Sequence, residues 1–146
     1  IRGDIEADVV IVGSGFTGLS AALALARDYG VRAVVLELDL PDGIVNPRRC
    51  DCSICRRKGA IVASVPLAGL KIVQGEDVLR LYQFNTNTAK HFFCSVCGIY
   101  THHQRRSSPE QYGYNVGCLQ GVNPYDLDDD VPTHDGVNHP ADRRTL

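Results

Sequence analysis

The sequence predicts an α+β chain. A β-rich domain of short antiparallel strands, pinned by metal, is expected over residues 38–146, preceded over residues 1–37 by a βαβ fragment. Three observations carry that expectation. Five of the six cysteines fall in two tight clusters, Cys50-Asp51-Cys52-Ser53-Ile54-Cys55 and Cys94-Ser95-Val96-Cys97. The run Asp8-Val9-Val10-Ile11-Val12 leads directly into Gly13-Ser14-Gly15-Phe16-Thr17-Gly18. After Glu37, apolar runs punctuated by turn residues replace any strand and helix alternation.

The N-terminal fragment is justified element by element. A continuous β-branched run is the signature of a strand buried on both faces, as in parallel sheets. Leu19 to Ala26 is rich in helix formers, and Gly30 is placed to stop that helix before Val31 to Glu37 begins a second strand. The glycine turn between strand and helix would let the backbone approach a pyrophosphate at the helix N-terminus, and Glu37 stands at the distance of a ribose-binding acid. This segment resembles the dinucleotide fingerprint of FAD-dependent amine and amino-acid oxidases. The resemblance implies that Gly13, Gly15 and Gly18 would meet the pyrophosphate and Glu37 the adenosine ribose. Two strands and one helix cannot enclose a dinucleotide, so the fragment by itself is not expected to hold FAD.

From Leu38 onward the expected strands are Ala60 to Val65, Leu70 to Val73, Leu79 to Phe84, Asn85 to Thr88, Ala89 to Phe93, Ile99 to His102 and Tyr112 to Leu119. Turn signals at Asp42-Gly43 and Asn46-Pro47 and the two cysteine turns separate them. The acidic run Asp126 to Asp130 and the tail after Pro132 read as solvated loop.

Short cysteine spacings allow one turn to present several thiolates to a tetrahedral zinc. Cys50, Cys52 and Cys55 offer three ligands and leave a fourth position open, the pattern of a catalytic zinc. Cys94 and Cys97 offer two, so a closed structural site there lacks two ligands. His91, His102, His103 and Cys118 are the nearby candidates to complete it, each of which reads first as an ordinary strand or loop residue. Cys118 suits a buried core thiol. A disulfide framework is the rival reading, and six cysteines in 146 residues fall short of its usual density. Arg48-Arg49 and Arg56-Arg57-Lys58 bracket the triple-cysteine run, where their field would lower thiol pKa values; a solvated loop is the alternative.

A net charge of −2 with 22% charged residues lacks the basic excess of a nucleic-acid binder. No apolar run approaches the roughly 20 residues that span a bilayer. No nucleic-acid or membrane partner is expected, and a reducing, cytoplasmic location suits the free thiols.

The stretch Arg48 to Ala60, with Gly75-Glu76-Asp77, Leu81 to Thr86, His91 to Tyr100 and Asn115 to Leu119, resembles the glutathione-dependent formaldehyde-activating family, also called Gfa-like or CENP-V-like. The resemblance runs over residues 38–140 and implies a β-rich, Mss4-like fold with two zinc sites. In that family the triple-cysteine run, here Cys50, Cys52 and Cys55, carries the catalytic zinc. The later pair, here Cys94 and Cys97, shares a structural zinc with an N-terminal C-x-C that this sequence lacks. One zinc per chain is the expectation. The activity implied is that of a carbon–sulfur lyase, joining the thiol of glutathione to formaldehyde to give S-hydroxymethylglutathione. Three alternatives stand beside it: a non-catalytic zinc module, a fragment of an FAD-dependent oxidoreductase, and a recombined chain with no competent site.

Overall fold

The computed structural model describes residues 11–12, 34–127 and 131–138, the first pair by backbone alone. Ten short strands dominate: β1 Ile11–Val12, β2 Val35–Leu38, β3 Arg49–Cys50, β4 Val62–Pro66, β5 Leu70–Gln74, β6 Leu79–Tyr82, β7 Lys90–Cys94, β8 Tyr100–Gln104, β9 Gln111–Asn115 and β10 Thr133–His134. Among the described residues the α-helix is a single turn, α1 Cys55–Lys58, beside a few 3-10 turns. The described molecule is therefore mostly β, and its strand pairings are mostly antiparallel. The expected N-terminal helix, with Gly13, Gly15 and Gly18, lies outside the described residues.

The central sheet has five antiparallel strands in the order β4-β9-β8-β7-β6. A second sheet, β1-β2-β5, joins a parallel pair, Ile11 to Val35 and Val12 to Leu36, to an antiparallel one in which Leu36 faces Ile72 and Leu38 faces Leu70. Burial along β2 decides its role. Val35, Leu36 and Leu38 are buried and Glu37 is exposed. Val34, Leu36 and Leu38 pack with Ala63, Val65, Leu70, Val78, Tyr114 and Val116 in one apolar cluster. The strand that ends the N-terminal fragment thus contributes to the core of the domain that follows it.

Several boundaries differ from expectation. Asn85 to Thr88 is a turn rather than a strand: Asn85 and Asn87 both take φ 54°, and asparagine tolerates this left-handed backbone. The last long strand stops at Asn115, whose side chain accepts a hydrogen bond from Gly117 N at 3.1 Å and starts the 3-10 turn Val116–Cys118. The tail after Pro132 is not simply solvated loop. Its β10 pairs in parallel with β3, placing Thr133 against Arg49 and His134 against Cys50. Short polar residues hide such a strand from a periodicity reading, because its stabilisation comes from backbone pairing.

Candidate metal and thiol site

The triple-cysteine loop is held from three sides. On the sheet side, Arg48 and Val62 exchange backbone hydrogen bonds of 2.9 Å in both directions, which fixes the entry to the loop on the edge of β4. On the exit side, α1 begins at Cys55 and ends at Gly59, whose left-handed φ of 64° allows its N–H to close back on Cys55 O at 3.0 Å. From the far end of the chain, β10 lies along Cys50, and Gly136 N donates to Asp51 Oδ1 at 2.7 Å. Gly136 sits so close that a Cβ there would stand 2.5 Å from Cys50 Sγ and 2.7 Å from Cys52 Cβ.

Within this frame the thiols of Cys50, Cys52 and Cys55 converge, their sulfurs all within 4.8 Å of one another. Zn–S bonds of about 2.3 Å place tetrahedral sulfurs about 3.8 Å apart, so three soft donors at this separation suit a zinc ion after a small contraction. Among the described residues no fourth metal-binding side chain joins the three. Burial and the neighbouring thiols raise Cys55 well above the usual thiol range, and burial raises Cys50. Burial also works against the Cys52 thiolate, but hydrogen bonds from the Cys55 and Ile54 backbone and from its partner thiols outweigh it and bring that thiol down. A loop with one favoured thiolate and two disfavoured ones holds protons that a bound cation would release.

Of the bracketing cations, Lys58 reaches furthest into the interior. Its ammonium lies 3.8 Å from the centre of the Tyr100 ring and 3.1 Å from His91 Nδ1. Burial holds it down at about 8, and its charge favours the Cys55 thiolate. Arg57 instead turns back to donate to Ser53 O, and Arg49 donates to Val131 O at 3.2 Å. Arg48 is lowered by burial and by the nearby charge of Arg105.

Facing the loop is a wall containing two histidines that the sequence offered to the other cysteine pair. His91 and His103 are register partners on β7 and β8, with ring centres 5.3 Å apart, and Tyr100 Oη hydrogen-bonds His103 Nδ1 at 2.5 Å. Burial and the Lys58 charge hold His91 at about 4; burial with His91, Lys58 and two arginines holds His103 at about 3. Both rings are neutral at pH 7. No local spacing signals the pair, because each strand contributes one ring and only their register brings the two together. Loop and wall together line a cavity of about 500 Å³.

The second cluster is differently made. Cys94 ends β7 and is 1% exposed, Cys97 is half-buried, and the turn between them is closed by Gly98 N donating to Cys94 O at 2.8 Å. Cys118 packs half-buried against the same core and points its thiol at Tyr100 O, 3.6 Å away. Among the described residues, Cys94 and Cys97 belong to no group of three metal-binding side chains. His102 is buried against Phe92 at 4.5 Å between ring centres, and His91 and His103 belong to the wall of the other site. Glu37 is exposed on β2, opposite Lys71.

Comparison with known proteins agrees with this geometry. The model of the family described as glutathione-dependent formaldehyde-activating enzyme matches residues 32–132. The chain belongs to that family. A second model, described as FAD binding domain, matches residues 6–50 and so overlaps the first through β2 and β3. The crystal structure of a Rhodobacter sphaeroides protein is similar at 58% identity and a TM-score of 0.66, covering 69% of this chain and 92% of its own.

Proposed function

We propose that the chain is a zinc-dependent carbon–sulfur lyase and synthase that adds the thiol of glutathione to formaldehyde, yielding S-hydroxymethylglutathione. The observation that carries this reading is the convergence of three thiols, with no fourth described ligand, on the wall of a cavity about 500 Å³ in volume. Small-molecule sites have volumes of roughly 300–1,000 Å³, which accommodates a tripeptide.

Cys50, Cys52 and Cys55 would hold the zinc, and a bound zinc would supply the Lewis acidity that lowers a substrate thiol's pKa and fixes its position. The chain's own residues do the rest. Lys58 adds positive charge beside Cys55. The neutral His91 and His103 form a wall that adds no competing cation at pH 7. The substrate sulfur bonds to the formaldehyde carbon, the carbonyl π pair moves to oxygen, and that oxygen takes up a proton equivalent to the one the thiol released. Reversal breaks the same carbon–sulfur bond. Formaldehyde is electrophilic enough that holding the nucleophile in place accounts for the catalysis.

The test is formation of S-hydroxymethylglutathione by the zinc-loaded protein, followed by exchange NMR with 13C-formaldehyde. Acceleration over the spontaneous reaction that disappears in Cys52→Ser supports the reading. A rate equal to that without protein, at full zinc occupancy, leaves a zinc module that does no chemistry on this pair.

A further inference from the structure

We propose that Arg48 and Arg105 form a clamp for a carboxylate of the thiol substrate, placed at the wall shared by two adjoining concavities. The proposal rests on the thiol reading above and adds how the substrate is recognised. Arg48 and Arg105 line both the cavity at the triple-cysteine loop and a second one of about 650 Å³, floored by Pro47, Leu127, Val131 and Pro132.

Among the described residues, these two guanidiniums share a cavity wall without an anion. Arg48 donates to Ser64 Oγ at 2.6 Å and to Asn46 O at 3.3 Å. Arg105 donates through its side chain to Gln111 Oε1, while its backbone N–H is tied to Gln111 O at 3.1 Å. Every one of these acceptors is neutral, and among the described residues neither guanidinium has a carboxylate partner. Asp135 lines the first cavity, but its carboxylate accepts from Val137 N at 3.1 Å, Asn138 N at 2.9 Å and Asn138 Nδ2 at 2.9 Å.

Neutral acceptors orient a guanidinium without cancelling its charge, so both arginines keep their charge and further N–H donors available. Two like charges in a concave wall repel, and an anion between them converts that repulsion into charge-assisted hydrogen bonds. Arg48 and Arg105 line the same cavity as Cys50, Cys52 and Cys55, so a ligand anchored at the arginines shares that space with the cysteine loop. The ligand class is a thiol carrying a carboxylate a few bonds from its sulfur.

The probe is S-methylglutathione, which keeps both carboxylates but has no free thiol, against its diethyl ester, each titrated calorimetrically into zinc-loaded protein. The acid should bind and the ester should bind roughly tenfold more weakly or worse. Arg105→Gln should weaken the acid by a similar factor and make binding indifferent to esterification, with zinc content unchanged. Arg105→Lys should recover part of the loss. Equal binding of acid and ester to the wild-type protein overturns the clamp, as does failure of the acid to bind; both comparisons need no substitution. Carboxylate-dependent binding without any adduct from glutathione and formaldehyde would keep the clamp and discard the reaction. Adduct formation that ignores esterification would do the reverse.

Discussion

The two cysteine clusters solve different physical problems with the same residue. At the first, three sulfurs converge within 4.8 Å on a loop that borders a cavity. At the second, Cys94 is 1% exposed and packs in the apolar core beside Val78 and Tyr114. Three thiols gathered at a cavity can share one cation, whereas a thiol set in the apolar core packs as a small hydrophobe, and Cys94 with Cys97 would need ligands from outside the described residues to hold an ion. The lesson is that a short cysteine spacing identifies a turn, while the surroundings of the sulfurs decide what the turn does.

The comparison breaks most sharply at Cys52. Cys52→Ser should abolish metal at the first cluster and reduce S-hydroxymethylglutathione formation by roughly 100-fold or more, beyond the 10–100-fold typical of residues that only support ligands. Zinc content, expected at one per chain, should fall to near zero while far-UV circular dichroism is retained. Zinc persisting at one equivalent would place the ion at the second cluster instead.

Stability against pH sharpens the picture of the sheet between the clusters. His102 is 2% exposed, and burial holds it at about 4 against about 6.5 in an unfolded chain. As pH falls the unfolded chain takes up this proton first. The stability present above pH 6.5 is therefore lost progressively down to about pH 4, by up to about 3 kcal/mol. Denaturant melts of Cys52→Ser, free of metal titration, should show that slope added to those of His91 and His103, and adding His102→Phe should remove its share and leave theirs.

Gly136→Ala probes the first cluster from its far side. The added Cβ would meet Cys50 Sγ at 2.5 Å, so the loop must shift, and metal affinity measured by competition with a chromophoric chelator should fall roughly tenfold. The same substitution should leave the environment of Cys94 untouched. The smallest effect belongs to the core of the second cluster. Tyr114 Oη is buried with no hydrogen-bond partner among the described residues, so Tyr114→Phe should be neutral or stabilise by up to about 1 kcal/mol in thermal melts. A loss larger than that would reveal a partner for the hydroxyl.

The cysteine loop was legible because its signal is local: three thiols in six residues need only one turn to meet. The strands were legible as short runs between turn signals, though Asn85 to Thr88 shows that β-length spacing alone cannot override two left-handed asparagines. The histidine wall and the arginine pair were not legible, because the first exists only once β7 and β8 are in register and the second only once β4, joined to β8 through β9, carries Arg48. β10 was hidden for another reason. Its residues carry no apolar alternation, and its place is set by backbone pairing to β3 and by the fit of Gly136.

That last contact has a consequence for the order in which the protein is made. Cys50, Cys52 and Cys55 leave the ribosome long before Thr133 to Gly136, and closing a loop of that length is slow compared with forming the turn. During synthesis the three thiols are complete as a chelating turn but have no backing segment. A metal ion captured at that stage would be sealed in only when β10 docks, so its capture and its retention would be separated in time by the synthesis of residues 56–132.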